Sequence, residues 1–312
     1  MRVLRAGPAA TIQDLGRPQA RHLGVPPSGA LDDYAHKVAN WLVGNRAACA
    51  TLEMPLLGPE IEVLVETDIA VTGAQMELRI NGAEHRQWQS IRVYPGDVLD
   101  LGGVLNGCLS YLAVSGGFAG DRVMSSRSTY LGGRFGGLEG RPVRAGDILT
   151  QQTQPLLSSG RRLPWVPVYP DTAVLRTVAG PHDHWFQKHE ADFWGTVFTV
   201  SPQSNRMGYR LLGPAIERDD GAPASIISEP VVAGNIQIPA EGQPIVVLGE
   251  QTMGGYTSIG TVISADLWRL AQVQPGGGVV FVQVSLSQGQ RISRRWRSFL
   301  EDCCQLLTGD SP

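Results

Sequence analysis

Short apolar runs separated by glycine and proline are the feature that most restricts the fold of this chain. The 312 residues include 38 glycines and 21 prolines, and runs rich in Val and Ile recur between them. Glycine and proline are unfavourable inside helices and frequent in turns, whereas β-branched residues favour strands. The pattern predicts a mainly β protein with many short strands joined by tight turns.

Six such runs in the first half alternate with turn residues and predict an antiparallel sheet. They are Ile61 to Val65, Ile69 to Thr72, Glu77 to Ile80, Ser90 to Val93, Val98 to Leu101 and Ser110 to Val114. The segment Pro95-Gly96-Asp97-Val98-Leu99 returns in altered form as Ala145-Gly146-Asp147-Ile148-Leu149. Each copy places a Gly-Asp turn before a strand, as at the edge of a barrel.

One helix is predicted in the first half. Ser28 or Asp32 can cap its N-terminus, and Gly44-Asn45 supplies a left-handed stop. The apolar residues of its buried face are Ala35, Val38, Ala39 and Leu42.

The second half repeats the all-β pattern after a break without periodicity. Strands are predicted at Ala173 to Val178, Ile226-Ile227, Asn235 to Ile238, Ile245 to Leu248, Thr261 to Ile263 and Val279 to Val284. The chain is therefore expected to divide into an N-terminal domain at 1–155, a linker at 156–170, a C-terminal domain at 171–285 and a helical tail at 286–312.

The tail predicts an amphipathic helix. Its apolar face comprises Ile292, Trp296, Phe299, Leu300, Cys303 and Leu307, and its polar face Arg294, Arg297, Glu301 and Asp302. Docking on its own domain is the favoured role, with contact to a partner protein as the alternative.

Charge and composition exclude several partners. The net charge of -3 and the scattered basic residues argue against nucleic-acid binding. No apolar stretch is long enough to span a membrane and no leader is recognisable, so a cytoplasmic location is expected. Lys37 and Lys188 are the only lysines, and no phosphate loop of the G-x-x-x-x-G-K-[ST] type is present. No metal site is expected.

Three segments have the residues of a binding site. The loop from Arg127 to Arg141 combines glycines with arginines, which can hold a carboxylate or phosphate, although its glycines could serve turns alone. The segment from Ser204 to Arg210 mixes polar donors with Met207 and Tyr209, against which a ring-shaped ligand could lie, unless it is a half-exposed strand. The third, from Glu250 to Tyr256, follows an apolar strand, and its alternative is a polar turn.

Taken together, these segments resemble the allophanate hydrolase subunit 2, or biotin-dependent carboxyltransferase, family, and within it the C-type subunits of 5-oxoprolinase. The similarity runs nearly end to end as far as Ser285. Its matching segments include Thr11 to Arg17, Ser28 to Asp32, Ser126 to Thr129, Gly136 to Arg141, Asn205 to Leu211, Ile236 to Pro239 and Gln251 to Tyr256. The resemblance implies two cyclophilin-like β-barrel domains, with few short helices and a C-terminal amphipathic helix.

The resemblance also implies a function. It is that of one component of an ATP-dependent 5-oxoprolinase, which opens 5-oxoproline to glutamate. The implied partners are a B-type 5-oxoprolinase component, which is allophanate hydrolase subunit 1-like, and a third, lactam-hydrolysing component. ATP with Mg²⁺ is the implied cofactor, bound by the partner or shared with it. This chain is expected to be inactive alone.

On this interpretation the site residues have three roles. Arg127, Arg141 and Arg206 hold a carboxylate or phosphoryl group, and Asp14 or Glu250 handles a proton. The residues that face the amide or line the pocket are Ser128, Thr129, Met207, Tyr209, Gln237, Gln251, Thr252, Gly254, Gly255 and Tyr256.

Two other functions stay open. One is the carboxyltransferase component of a biotin-dependent urea carboxylase or allophanate system, in which biotin would be the cofactor. The other is a regulatory protein that binds and counters a kinase inhibitor. Such a protein needs a complementary surface but no acid or base, so substitution of Glu250 and Arg206 should leave its binding intact.

Overall fold

The computed structural model describes residues 1–309, which form two compact units. The first comprises residues 1–18, 28–168 and 299–309, and the second comprises residues 19–27 and 169–298. Strands predominate in both, and the described helices are few, so the predicted mainly β fold is confirmed.

The first unit contains an eight-stranded sheet that curves as a half-barrel. Its strands are β1 (Arg2–Arg5), β2 (Thr11–Gln13), β3 (Thr51–Pro55), β4 (Glu60–Glu62), β5 (Thr67–Ile80), β6 (Ala83–Glu84), β7 (Ser90–Val93) and β8 (Val98–Val114). The order is β1-β4-β8-β3-β2, and β5 pairs with β6, β7 and β8, all antiparallel. The long β8 is therefore the centre of the sheet.

In two places, two strands that were predicted separately form one continuous strand of this sheet. The runs at 69–72 and 77–80 are both parts of β5, and those at 98–101 and 110–114 are both parts of β8. Glycines between them form bulges and not turns: the β5·β8 register shifts after Gly73, whose φ is 85°. The strand thus bends without reversing.

The first helix, α1 (Asp33–Leu42), confirms the prediction at both ends. The Asp32 side chain accepts a hydrogen bond of 2.9 Å from the Ala35 amide, as an N-cap does. Past the other end, Gly44 has a φ of 79°. The buried face of α1 packs on β5 and β8.

The core of the first unit lies on the inner face of the sheet. Leu52, Val71 and Leu112 come from adjacent strands, and Phe118 covers them from the following loop. All four are almost completely buried, so each contributes roughly 1.5–3 kcal/mol of hydrophobic stabilisation.

A buried histidine makes the first unit sensitive to acid. His36 lies inside α1, with Nε2 2.9 Å from the Ala47 carbonyl and Nδ1 2.9 Å from Thr51 Oγ1. Burial lowers its pKa to about 4. Because the unfolded chain binds this proton near pH 6.5, stability is fully present above that pH and about 3 kcal/mol is lost as the pH falls to 4.

We expect His36→Gln to remove that part of the acid sensitivity. Melting temperatures of wild type and variant should therefore converge as the pH is lowered from 7 to 4.5. His85→Gln changes an exposed histidine and should keep the wild-type pH dependence. A His36→Gln protein with an unaltered slope below pH 6.5 would contradict the assignment.

The second unit contains a closed seven-stranded barrel. The strands of this unit are β9 (Thr172–Ala179), β10 (Val197–Val200), β11 (Gly208–Leu212), β12 (Glu229–Pro230), β13 (Asn235–Ile238), β14 (Ile245–Val247), β15 (Met253–Gly254), β16 (Thr257–Val262) and β17 (Gly278–Gln283). The barrel order is β10-β11-β14-β13-β16-β9-β17, and β12 and β15 form a separate two-stranded sheet. Of the barrel pairs, β9 and β17 are parallel.

The remaining helices are α2 (Glu190–Phe193), α3 (Leu267–Ala271) and α4 (Leu286–Thr308). Short 3-10 helices occupy Pro18–Leu23, Asp183–Trp185, Gln187–His189 and Ser264–Asp266.

The prediction of a strand at Ile226-Ile227 is wrong, because this segment lies in a loop with Ile227 94% exposed. Two isoleucines alone do not distinguish a strand from an exposed loop.

The helix α4 confirms the amphipathic tail as far as Thr308, and positions 310–312 of the predicted tail lie outside the described residues. Leu300, Cys303 and Leu307 are buried, whereas the predicted polar face at 294, 297, 301 and 302 is exposed. In the second unit, Trp296 stacks on Trp268 with ring centroids 5.4 Å apart. Within residues 1–309, no helix is long and apolar enough to cross a membrane.

Candidate functional site

Asp14 lies at the centre of a hydrogen-bonded loop in the first unit. Its buried carboxylate accepts hydrogen bonds from the Gly16 amide at 2.8 Å, the Ser126 and Ser128 hydroxyls at 2.6 Å each, and the Arg127 amide at 2.6 Å. Four donors thus converge on one side chain. The geometry favours a carboxylate that anchors the 126–128 loop.

Ser128 and Thr129 fasten the same loop to the strand β2. The Thr129 amide and hydroxyl both donate to the Ile12 carbonyl, at 2.9 and 3.0 Å, and Gln13 Nε2 donates to the Thr129 carbonyl at 3.2 Å. The Arg17 guanidinium donates to the Ser128 carbonyl. Both predicted binding residues are completely buried and hydrogen-bonded inside the protein.

Arg127 differs from its neighbours in the loop. Its Nε atom is buried and, within the described residues, has no hydrogen-bond partner. Buried polar groups are nearly always satisfied, so an unpaired one calls for an explanation such as a missing ligand. The predicted role of Arg127 in holding an anion would supply that partner.

The glycine loop has an unusual backbone. Positive φ angles occur at Arg134, Gly136, Gly137, Glu139 and Gly140. A Cβ atom at Gly136 would collide with the Ser128 carbonyl, so that position requires glycine. Left-handed conformations at Arg134 and Glu139 cost energy and are found preferentially at functional segments.

Arg141 is already occupied by carboxylates. Its guanidinium forms a two-pronged ion pair with Asp147 at 2.7 and 3.0 Å, and Nε lies 3.0 Å from Glu139 Oε2. The Asp147 hydrogen bonds raise the pKa of Arg141. A pocket of about 470 Å³ adjoins it, lined by Leu131, Arg134, Glu139, Gly140, Arg141, Pro142 and Arg144. A ligand anion would have to replace Glu139, whose side chain is 72% exposed.

An ion pair joins the two predicted segments of the second unit. Arg206 Nε lies 2.7 Å from Glu250 Oε1, with side chains that are 15% and 6% exposed. The Leu248 amide donates to the Met207 carbonyl at 2.8 Å, which aligns the segments side by side. A mostly buried carboxylate and a guanidinium are thereby held in fixed contact.

Met207 and Tyr209 lie in different environments. Met207 is 50% exposed in a turn closed by Asn205 and Gly208, whereas Tyr209 is buried in β11. The Tyr209 hydroxyl donates to the Ala271 carbonyl at 3.3 Å. Tyr209 therefore packs against α3, and Met207 is the residue available to a ligand.

The loop after Glu250 is held by hydrogen bonds to its backbone carbonyls. Gln251 Nε2 donates to the Met253 carbonyl at 2.9 Å, and the Thr252 carbonyl accepts from the Val231 amide at 3.0 Å. The Gly255 carbonyl accepts from the Ile226 amide at 2.8 Å. These bonds restrict the loop beside the β12·β15 sheet.

Gln237 and Gly254 are in direct contact. Gln237 is 2% exposed, and a Cβ atom added at Gly254 would collide with its side-chain amide. Tyr256, two residues on, is 43% exposed. The structure thus brings Gln237 against the predicted loop, with an aromatic ring at the surface.

Sequence reasoning missed a buried polar group around Glu53. The Tyr111 hydroxyl donates to Glu53 Oε2 at 2.7 Å, and the Leu31 amide donates to the same oxygen at 3.0 Å. The Tyr111 oxygen also accepts from the Asp32 amide at 2.8 Å, and burial raises the pKa of Tyr111. The presence of a glutamate among the apolar residues of β3 was the sequence signal that could have indicated this buried polar group.

Ser28 was expected only as a helix cap. It has a φ of 54°, and its buried hydroxyl oxygen has no hydrogen-bond partner among residues 1–309.

Across the same residues, no three His, Cys, Asp or Glu side chains are grouped so as to hold a metal ion.

The matches to known proteins cover most or all of the chain. The profile of the family described as carboxyltransferase domain, subdomain A and B, matches residues 23–283. The C-type subunit of Escherichia coli 5-oxoprolinase is 37% identical over 321 aligned positions, covering 100% of both chains. That of Haemophilus influenzae is 33% identical over 300 positions, covering 96% of each.

A solved structure agrees with the fold. The K. lactis urea amidolyase superposes with a TM-score of 0.89 at 28% identity, over 97% of this chain but only 20% of that larger protein. The resemblance seen in the sequence is confirmed. Because the profile spans most of the chain and the curated relatives span nearly all of it, this protein belongs to the carboxyltransferase family of subdomains A and B.

Proposed function

We propose that this chain is the C-type subunit of an ATP-dependent 5-oxoprolinase, which opens 5-oxoproline to glutamate with its partner proteins. The observation that carries the proposal is reciprocal coverage: two proteins named as C-type subunits of 5-oxoprolinase align over 96–100% of both chains. A five-membered lactam resists water because its carbonyl is conjugated with nitrogen. Phosphorylation of the carbonyl oxygen by ATP would remove that resistance.

The contacts support the residue roles that we propose. In the second unit, the Arg206–Glu250 pair places a carboxylate beside the Gln251 loop, so Glu250 is the proposed proton-handling group there. Gln237 and Gln251 have amide groups suited to a lactam. In the first unit, the unpartnered Nε of Arg127 supports an anion-holding role.

The phosphates of ATP are proposed to be bound mainly by a partner chain. A lysine of the phosphate-loop type is missing from the sequence, and both lysines present form ion pairs. Lys37 pairs with Asp33 at 2.6 Å, and Lys188 pairs with Asp220 at 2.8 Å. Mg²⁺ would arrive with the nucleotide.

Reconstitution tests this proposal. The chain is combined with a B-type 5-oxoprolinase component and the lactam-hydrolysing component, and ATP hydrolysis and glutamate formation are measured with and without 5-oxoproline. Substrate-dependent hydrolysis should require all three proteins. Hydrolysis stimulated by 5-oxoproline with this chain alone, or a complete mixture that ignores 5-oxoproline, would sink the proposal.

A second candidate is the carboxyltransferase of a biotin-dependent urea carboxylase, which the likeness to the urea amidolyase structure favours. In that case ATP hydrolysis by the complete system would depend on bicarbonate and urea and would be blocked by avidin.

For a protein that counters a kinase inhibitor, Glu250→Gln would leave partner binding unchanged.

A further inference from the structure

A pocket in the second unit lies between the barrel and the first part of α4. Its volume of about 610 Å³ is within the roughly 300–1,000 Å³ typical of small-molecule sites. The barrel strands contribute Val178 and Val262, the residue after β16 contributes Ile263, and the helix contributes Leu286. Its wall is therefore largely aliphatic.

Gly289 sets how closely the helix approaches this wall. A Cβ atom there would lie 3.1 Å from the Ile263 methyl Cγ2 and 3.3 Å from the Val178 methyl Cγ2, both tight contacts. Glycine costs a helix about 1 kcal/mol relative to alanine. Its presence in α4 thus keeps the helix against the barrel at the edge of the pocket.

Two arginines supply the charge of the pocket. Arg294 and Arg297 line it from the same face of α4, and among the described residues no aspartate or glutamate lines it with them. Within residues 1–309 neither arginine forms an ion pair, although Glu301 lies one turn beyond Arg297. The hydroxyls of Thr261, Ser264 and Ser293 are nearby donors.

We propose that this pocket binds a small amphipathic carboxylate, with its apolar body on the aliphatic wall and its head group on Arg294 and Arg297. An arginine fork matches a carboxylate, and apolar walls favour a hydrocarbon body. The helix wall lies beyond residue 283, where the family profile ends, and the lining shares no residue with the candidate site. The inference is independent of the proposed function.

Calorimetric titration of the full chain with octanoate tests the inference. Octanoate should bind saturably, whereas 1-octanol, which lacks the charge, and acetate, which lacks the body, should bind at least about ten-fold more weakly, as expected for loss of a charge-assisted contact. Saturable binding of octanol as tight as that of octanoate would overturn the proposal, as would no binding of octanoate at millimolar concentration.

Variants place the binding on α4. Arg294→Gln/Arg297→Gln should weaken octanoate about ten-fold, and Ser293→Trp should block the pocket without changing the charge. The matched control, Arg291→Gln/Arg295→Gln, removes two exposed arginines of the same helix that do not line the pocket. Equal losses in the control and test pairs would contradict the site. Circular dichroism checks that every variant is folded.

Discussion

Replacing Asp14 with alanine is expected to lower the free energy of unfolding by about 3–5 kcal/mol, since two buried hydroxyls and two partly buried amides lose their acceptor, and an unsatisfied buried donor costs roughly 1–3 kcal/mol. The carboxylate accepts from two backbone amides and two serine hydroxyls. The hydroxyls can rotate toward other acceptors, but the amides of Gly16 and Arg127 cannot. Denaturant unfolding measures the loss.

Asp33→Ala is the matched control. Asp33 is 42% exposed and pairs with Lys37 one helical turn away, an interaction typically contributing about 0.3–0.5 kcal/mol. If Asp14→Ala were as mild as this control, the anchoring role would be wrong. In that case the proton-handling role predicted from the sequence would be the better account of Asp14.

Removing one partner of the Arg206–Glu250 pair should destabilise the second unit by about 3–5 kcal/mol, because it leaves a buried charge without compensation. Arg206→Met removes the ion-pair partner of Glu250, whose side chain is 6% exposed. The double variant Arg206→Met/Glu250→Leu should recover most of the loss, since apolar pairs often replace buried ion pairs without cost. Thermal unfolding of the single and double variants gives the coupling energy.

The exposed pair of Lys188 and Asp220 provides the comparison, and Lys188→Met should change stability by under about 0.5 kcal/mol.

Arg206→Lys separates activity from folding. It keeps the charge but loses the planar fork, so turnover in the reconstituted complex should fall roughly ten- to hundred-fold. Normal turnover in this variant would remove Arg206 from the site.

Local signals predicted the elements that local chemistry decides. The Asp32 cap and Gly44 stop predicted both ends of α1, and the strand predicted at Asn235 to Ile238 is β13 as observed. Gly73 was misleading because a glycine can serve a bulge as well as a turn. Which of the two forms depends on a partner strand far along the chain.

The candidate site was predictable in composition but not in contacts. The sequence placed Arg206 and Glu250 in polar segments, yet their ion pair follows from the alignment of β11 with β14. Tyr209 was expected beside Met207, but the turn at Asn205 and Gly208 separates their environments. Glu53 was overlooked because a charged residue in a strand is usually exposed, and its burial is explained by hydrogen bonds from the Tyr111 hydroxyl and the Leu31 amide.

The parallel pairing of β9 with β17 affects how the second unit is made on the ribosome. These strands begin at Thr172 and Gly278, so about a hundred residues are added between them. At roughly 5–20 residues per second, β9 waits about 5–20 s for this neighbour. Throughout that interval the nascent barrel has an unpaired edge open to other chains. Synthesis that stops before Gly278 would leave that edge permanently open, which makes truncated products of this unit prone to aggregation.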